Sequence, residues 1–290
     1  MFDLYLAAIA VSLMSAAACI AGTRLGRVAS PRQGVLSALL SLLLMIAYIE
    51  YLWDSTWLVQ LLPVSSLIIL GNWLPIATAF LAGFAWRTIP GYWLRRCASA
   101  AALLVIGEYA LIHPMLGSPP HCLNKWCEGV SMQTTDATCS AACAATILRA
   151  KGIPATEQEM AELCLTRLKG TNWQGLYRGL KLKTAGTDWD VEVFHGDVRT
   201  LRALAPDAVI ITAMYDPSKV NDRRYVDDWG WQPNVSHSAV FFDFAIEGVV
   251  LMGDPSVGRE SWAIEDLNLL WTGEAMRLVR RSTTDRPVVA

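Results

Sequence analysis

The chain has 290 residues, a net charge of −2 and a pI near 6.1, a balance that gives no reason to expect nucleic-acid binding. Hydrophobic residues make up 53% and mean hydropathy is +0.34, too apolar for an ordinary soluble protein. The charge is unevenly spread: before Gly117 there are no lysines, six arginines (Arg24, Arg27, Arg32, Arg87, Arg95, Arg96) and four acids (Asp3, Glu50, Asp54, Glu108), leaving 18 of 24 bases and 22 of 26 acids for the remainder.

Residues 1–116 predict an all-α transmembrane domain of about four spans, near 4–22, 35–53, 62–86 and 98–115. Each approaches the roughly 20 residues that a bilayer core requires. A cleaved signal peptide is not expected, because Asp3 and no basic residue precede the first apolar run. Ala-Ala-Ala-Cys19 has the look of a lipoprotein processing site but lacks the basic segment such sites need. Ser55–Trp86 is 32 uncharged residues interrupted by Pro63 and Gly71-Asn72, which predicts an interfacial or re-entrant lead-in followed by one span. Glu50 lies near a span boundary where it reaches water, and Glu108 nearer mid-membrane, where a neutral or bundle-facing acid is expected. All six arginines fall within 23–34 and 87–97. The positive-inside rule makes those loops cytoplasmic, so the second domain is expected on the non-cytoplasmic face of a bacterial inner membrane.

Residues 117–130, with Gly117, Pro119 and Pro120, read as a linker, 131–280 as a soluble α+β domain, and 281–290 as a mobile tail. Thr138 as N-cap and Gly152 as stop bound a helix starting at Cys139. Thr156-Glu-Gln-Glu159 is a capping box for a helix to about Lys169, and Thr171-Asn-Trp-Gln174 opens a third, to about Lys183. Strands are predicted over 190–194, 208–214, 237–244, 249–252 and 275–279, with a Trp-rich loop at 215–236, a turn at 245–248 and a short helix at 264–271.

A thiol in the first turn of a helix feels the positive end of the macrodipole, which favours thiolate. Cys139 is therefore a candidate nucleophile, and Gln133, six residues upstream, a candidate amide donor to the same centre. A free cysteine is also a common core residue, but the histidine and acid that follow favour chemistry. The base is one of His113, His121, His195 and His237. Two adjacent antiparallel strands bring the start of one beside the end of the next, so His237 and Asp254 are expected to be neighbours although 17 residues apart. Asp254 would then orient the His237 ring, which favours His237 over His195.

The run Gln133…Thr138-Cys139-Ser-Ala-Ala142, the Gly170-Thr-Asn segment, His237-Ser-Ala-Val and Gly253-Asp254-Pro255…Gly258 together resemble the bacteriocin-processing (double-glycine leader) peptidase family, among the papain-like cysteine peptidases. The resemblance covers about Ser131 to Val279. It implies a papain-like fold and hydrolysis of a peptide or protein substrate. Cys139 would be nucleophile, His237 base and acid, Asp254 its orienting partner and Gln133 part of the oxyanion hole. It implies no metal and no other cofactor. Ser140 departs from the glycine usual after that cysteine. No Gly-x-x-x-x-Gly-Lys-[Ser/Thr] run is present, so no nucleotide partner is expected. The arginine placement sets this domain on the opposite side of the membrane from exporter-linked members, which cut leaders in the cytoplasm. A catalytically silent membrane-tethered module and an amide or thioester acyltransferase are the rival readings.

Once the nucleophile is set aside, Cys122, Cys127, Cys143 and Cys164 are an even number suited to an oxidising compartment. Cys122 can pair locally with Cys127. Cys143 and Cys164 can bridge consecutive helices or remain reduced and buried. A zinc site on His121, Cys122 and Cys127 lacks a second ligand pair at metal-like spacing. Trp229 and Trp231 either line a substrate groove or pack their loop on the sheet, and Asp227-Asp228 reads as a solvated turn.

Overall fold

A computed structural model describes residues 1–281 except 54, 246 and 247. The expected mobile tail, apart from Arg281, and the centre of the expected 245–248 turn lie outside the described residues. The chain divides into two compact units, Met1–Leu116 and Gly117–Ala290.

The first unit is helical throughout: α1 (Phe2–Val28), α2 (Pro31–Ala47) continued by a π-helical turn at Tyr48–Leu52, α3 (Leu58–Leu61), α4 (Leu67–Leu70), α5 (Leu74–Thr88) and α6 (Trp93–Ile112). Four helical stretches are long and apolar enough to cross a membrane: Phe2–Val28, Arg32–Leu52, Leu67–Thr88 and Trp93–Met115. The short turn α3 precedes the third of these, which itself opens with the short turn α4. The link from α4 to α5 is pinned by Tyr48, whose hydroxyl donates to the Gly71 carbonyl and accepts the Trp73 N–H. Helices α1 and α5 meet backbone to backbone, since a Cβ at Gly22 would lie 2.1 Å from the Phe80 carbonyl oxygen. Small residues at such crossings permit close packing in lipid. Of the two alternatives for Glu108, facing the bundle is not the one seen: it lies on the exposed side of α6.

The second unit opens with a ribbon of β1 (Trp126–Cys127) and β2 (Val130–Ser131). Three helices follow, α7 (Cys139–Ala150), α8 (Glu157–Leu163) and α9 (Trp173–Thr184), then β3 (Trp189–His195), α10 (Val198–Leu204) and β4 (Val209–Met214). Next come α11 (Arg224–Asp227), β5 (Ser236–Phe244), β6 (Val249–Asp254), β7 (Gly258–Ala263), α12 (Ile264–Leu270) and β8 (Trp271–Arg280). The six-stranded sheet is antiparallel throughout, in the order β3-β8-β4-β5-β6-β7.

Helix α7 is buried from Cys139 to Leu148 and packs on one face of the sheet. The other face is covered by α10, α12 and the loop before β5, whose Tyr215, Tyr225, Trp229 and Trp231 join Trp262 in an aromatic cluster. Thr156 caps α8 through the Glu159 N–H (3.2 Å), but Glu159 turns to Lys183 (2.8 Å) instead of closing the expected box. Helix α8 ends at Leu163, short of Lys169, because the chain turns there into the Arg167–Gly170 bridge.

Candidate active site

Antiparallel pairing of β5 with β6 sets Val240 opposite Gly253, which leaves His237 and Asp254 beyond that pair at neighbouring strand ends. The His237 Nε2 lies 3.0 Å from Asp254 Oδ1. Asp254 is wholly buried and holds two further donors: the Ser256 N–H on Oδ1 (2.7 Å) and the Trp231 indole N–H on Oδ2 (2.8 Å). The bond back from Ser256 is an Asx-type turn, and Pro255, which cannot donate to a ladder, ends the strand there. The Trp231 ring also packs against His237 at 4.5 Å between centroids. With Nε2 committed to Asp254, the ring offers Nδ1 to Cys139.

Thr138 occupies the N-cap position of α7 but does not cap it. Its hydroxyl turns back into the preceding loop, accepting the Thr134 and Thr135 N–H groups and donating to the Thr135 carbonyl. The first intrahelical bond runs from Ala142 N–H to Thr138 O. The N–H groups of the first turn therefore remain available beside the Cys139 sulfur, with the dipole's positive end.

Cys139 is 6% exposed, and burial opposes its ionisation. The hydrogen bond and charge of His237, the Ser238 N–H and the Ser140 hydroxyl outweigh that cost, and the thiol lies below its ordinary value. Burial likewise opposes the imidazolium, yet the charge and hydrogen bond of Asp254, followed by those of Cys139, raise His237 from 6.5 to about 10. Other buried thiols move the opposite way. Burial, then the charge and hydrogen bond of Glu157, push Cys122 up to about 12. Burial pushes Cys164 up to about 12, and burial with the Cys139 and Asp254 charges drives Cys143 well up.

Gln133 is joined to this site through its backbone, whose N–H donates to the Pro255 carbonyl at 2.8 Å. Its side-chain Oε1 is buried without a hydrogen-bond partner. The next residue, Thr134, is gripped by the fully buried Glu157, which accepts its N–H (2.6 Å) and its hydroxyl (2.7 Å). A single carboxylate on α8 thus fixes the loop that carries Gln133.

His195 is excluded from this constellation. It ends β3, which β8 and β4 separate from β5, and its ring packs over Gly273. Trp229 and Trp231 do not line a groove. They are 8% and 4% exposed within the aromatic cluster, where Trp231 supports Asp254. All seven cysteines are free thiols, so neither candidate disulfide is formed here, and Cys143 and Cys164 follow the reduced, buried alternative. The Cys143 sulfur points at β5, donating to the Ser238 carbonyl (3.2 Å), while Cys164 closes α8 and faces the Leu176 carbonyl of α9. Cys122 is buried against the Pro120 carbonyl and Cys127 is exposed. Among the described residues no three His, Cys, Asp or Glu side chains are grouped to hold a metal ion.

A scan of protein families and a search of curated proteins return no match. Solved structures do. The peptidase domain of Streptococcus ComA, a bi-functional ABC transporter involved in a quorum sensing pathway, has a TM-score of 0.43 and 17% identity, covering 52% of this chain and 98% of that one. The peptidase domain of Streptococcus mutans ComA has a TM-score of 0.38 and 18% identity, with coverage of 52% and 98%. A double glycine motif protease from an AMS/PCAT transporter, in complex with its leader peptide, has a TM-score of 0.42 and 16% identity, covering 57% and 100%. These neighbours are peptidase domains.

Proposed function

We propose that this chain is a membrane-anchored cysteine peptidase that hydrolyses peptide bonds through an acyl-enzyme on Cys139. The reading rests above all on His237, whose ring is shared between a buried carboxylate at 3.0 Å and a thiol held below its ordinary value. The thiolate attacks the scissile carbonyl carbon, and the carbonyl oxygen takes up the displaced electron pair. The Cys139 N–H, at the uncapped start of α7, and the Gln133 amide are the donors for that oxyanion, each typically worth about 10²–10³ in rate. The Gln133 backbone bond to the Pro255 carbonyl, which ties that residue to the strand end carrying Asp254, supports this role.

Collapse of the intermediate expels the amine, which leaves with the proton from His237 Nδ1. Water then attacks the thioester, giving its proton to the now neutral imidazole. The acid departs, and Cys139 leaves as thiolate beside a renewed imidazolium. Asp254 fixes the ring through Nε2 in both half-reactions. The four apolar helical stretches support an anchoring role in a bacterial inner membrane, and the arginine placement supports a peptidase unit on its non-cytoplasmic side.

The test uses the full-length protein in detergent, a peptide library and a peptidyl acyloxymethyl ketone probe. Wild type and His195→Ala cleave and are labelled. Cys139→Ala does neither while keeping its circular dichroism, and His237→Ala cleaves at less than about one-hundredth of the wild-type rate. Cleavage by Cys139→Ala, or labelling indifferent to His237, would overturn the assignment. A lowered thiol argues against the silent module, and product analysis with added amines separates hydrolysis from acyl transfer.

A further inference from the structure

Two buried hydroxyls stand directly beside the proposed catalytic pair. Ser140 follows Cys139 and is 6% exposed; Ser238 follows His237 and is 7% exposed. Their oxygens are 2.8 Å apart, and Ser140 Oγ lies 4.0 Å from Cys139 Sγ. Side chains alternate along β5, so Ser238 faces α7 while Ala239 joins the aromatic cluster behind the sheet.

We propose that Ser140 and Ser238 form a directed two-hydroxyl relay that holds the attacking sulfur of Cys139. This rests on the cysteine-peptidase reading. A thiolate only accepts, so the Ser140 proton points at sulfur. Ser140 Oγ then accepts the single proton of Ser238, and both buried hydroxyls donate only in that order. Once sulfur is acylated it becomes a poor acceptor and the Ser140 proton can swing to Ser238. The relay is therefore strongest in the state that attacks.

Ser238 suits the part because its backbone is fastened at the same point. Its carbonyl accepts the Cys143 thiol at 3.2 Å. The start of β5, which carries His237, is thereby stitched to α7. Ser140, the departure from the glycine implied by the family resemblance, gains a positive role through this contact. Glycine or alanine there would leave Ser238 with a buried hydroxyl and no partner, which native structures avoid.

The experiment follows alkylation of Cys139 by iodoacetamide from pH 4 to 10 in the full-length protein in detergent, read by mass spectrometry of the Cys139 peptide, alongside thermal melts. Wild type is expected to react with a midpoint below that of an ordinary thiol. Ser140→Ala and Ser238→Ala should each raise the midpoint and slow alkylation at pH 6 by about three- to tenfold. The double variant should match the single ones, because either serine alone breaks the chain. Ser238→Thr, which keeps a hydroxyl on a strand-compatible side chain, should retain the wild-type midpoint. If the alanine variants lower the melting temperature but leave the depressed midpoint in place, the hydroxyls merely fill space and the relay is wrong. A wild-type midpoint at the ordinary thiol value would overturn the peptidase reading together with the relay.

Discussion

Replacing Trp231 by phenylalanine keeps an aromatic ring against His237 but removes the indole N–H from Asp254. The other two donors to that carboxylate, His237 and the Ser256 N–H, both reach Oδ1, so Oδ2 is left without its 2.8 Å partner in a wholly buried position. Stranding a buried acceptor costs about 1–3 kcal/mol, towards the upper end when it is charged. The smaller ring adds a packing loss of about 1 kcal/mol. Trp229→Phe is the matched control, because Trp229 stacks on Trp262 in the same cluster and makes no bond to Asp254. Subtracting its effect leaves about 1–3 kcal/mol for the hydrogen bond. At about 2–4 °C per kcal/mol for a unit of this size, Trp231→Phe should melt some 2–12 °C below Trp229→Phe by circular dichroism in detergent. Peptide hydrolysis should fall about tenfold further, equivalent to 1.4 kcal/mol of transition-state stabilisation lost as the imidazole loosens. If the two variants melt and cleave alike, Asp254 does not depend on Trp231 and the support ascribed to that indole is wrong.

Glu157→Gln should destabilise the second unit by about 1–3 kcal/mol, since an amide meets one of the two Thr134 donors with its own NH₂ group. Melts should show this loss and hydrolysis should fall with it, while the exposed Glu162→Gln on the same helix changes neither. The Cys139–His237 pair also sets a pH profile for stability. The raised imidazole contributes fully below its ordinary 6.5 and loses that contribution as pH climbs through about 10. The lowered thiol contributes fully above its ordinary 9.0 and loses that contribution as pH falls through its depressed value. The two slopes oppose each other where pH lies above both 6.5 and the depressed thiol value and below 9.0. The melting difference between wild type and the Cys139→Ala/His237→Ala double variant should be flat there and shrink on both sides; a monotonic difference would show that the pair is not ionised as described.

The pairing of His237 with Asp254 was legible because one hairpin joins them, so strand geometry converts a 17-residue interval into a contact. The Cys139 helix was legible from the small helix formers that follow it and from Gly152 at its end, whose φ of +75° suits the helix exit. Long-range support was not legible. Nothing in the spacing of Trp231, Glu157 or Ser238 tells which buried group each will meet, because those contacts arise only when sheet and helices stack. Strand β7 escaped notice since Gly-Arg-Glu-Ser-Trp-Ala mixes charges into an edge strand with no clean alternation. Helix α10 had a readable signal, Asp197 reaching the Thr200 N–H at 3.0 Å in a capping box, but seven residues are too few for a helical period to stand out.

Strand β8 is the latest strand in chain order, yet it lies between β3 and β4. While a ribosome is still producing residues before Trp271, β4 through β7 can form a meander, but β3 has nothing to pair with and β4 keeps one bare edge. The nascent protein therefore carries its sulfur and imidazole on a half-assembled sheet. The sheet can therefore close only after residues 271–280 have left the ribosome, so a chain truncated before Trp271 leaves both β3 and one edge of β4 unpaired.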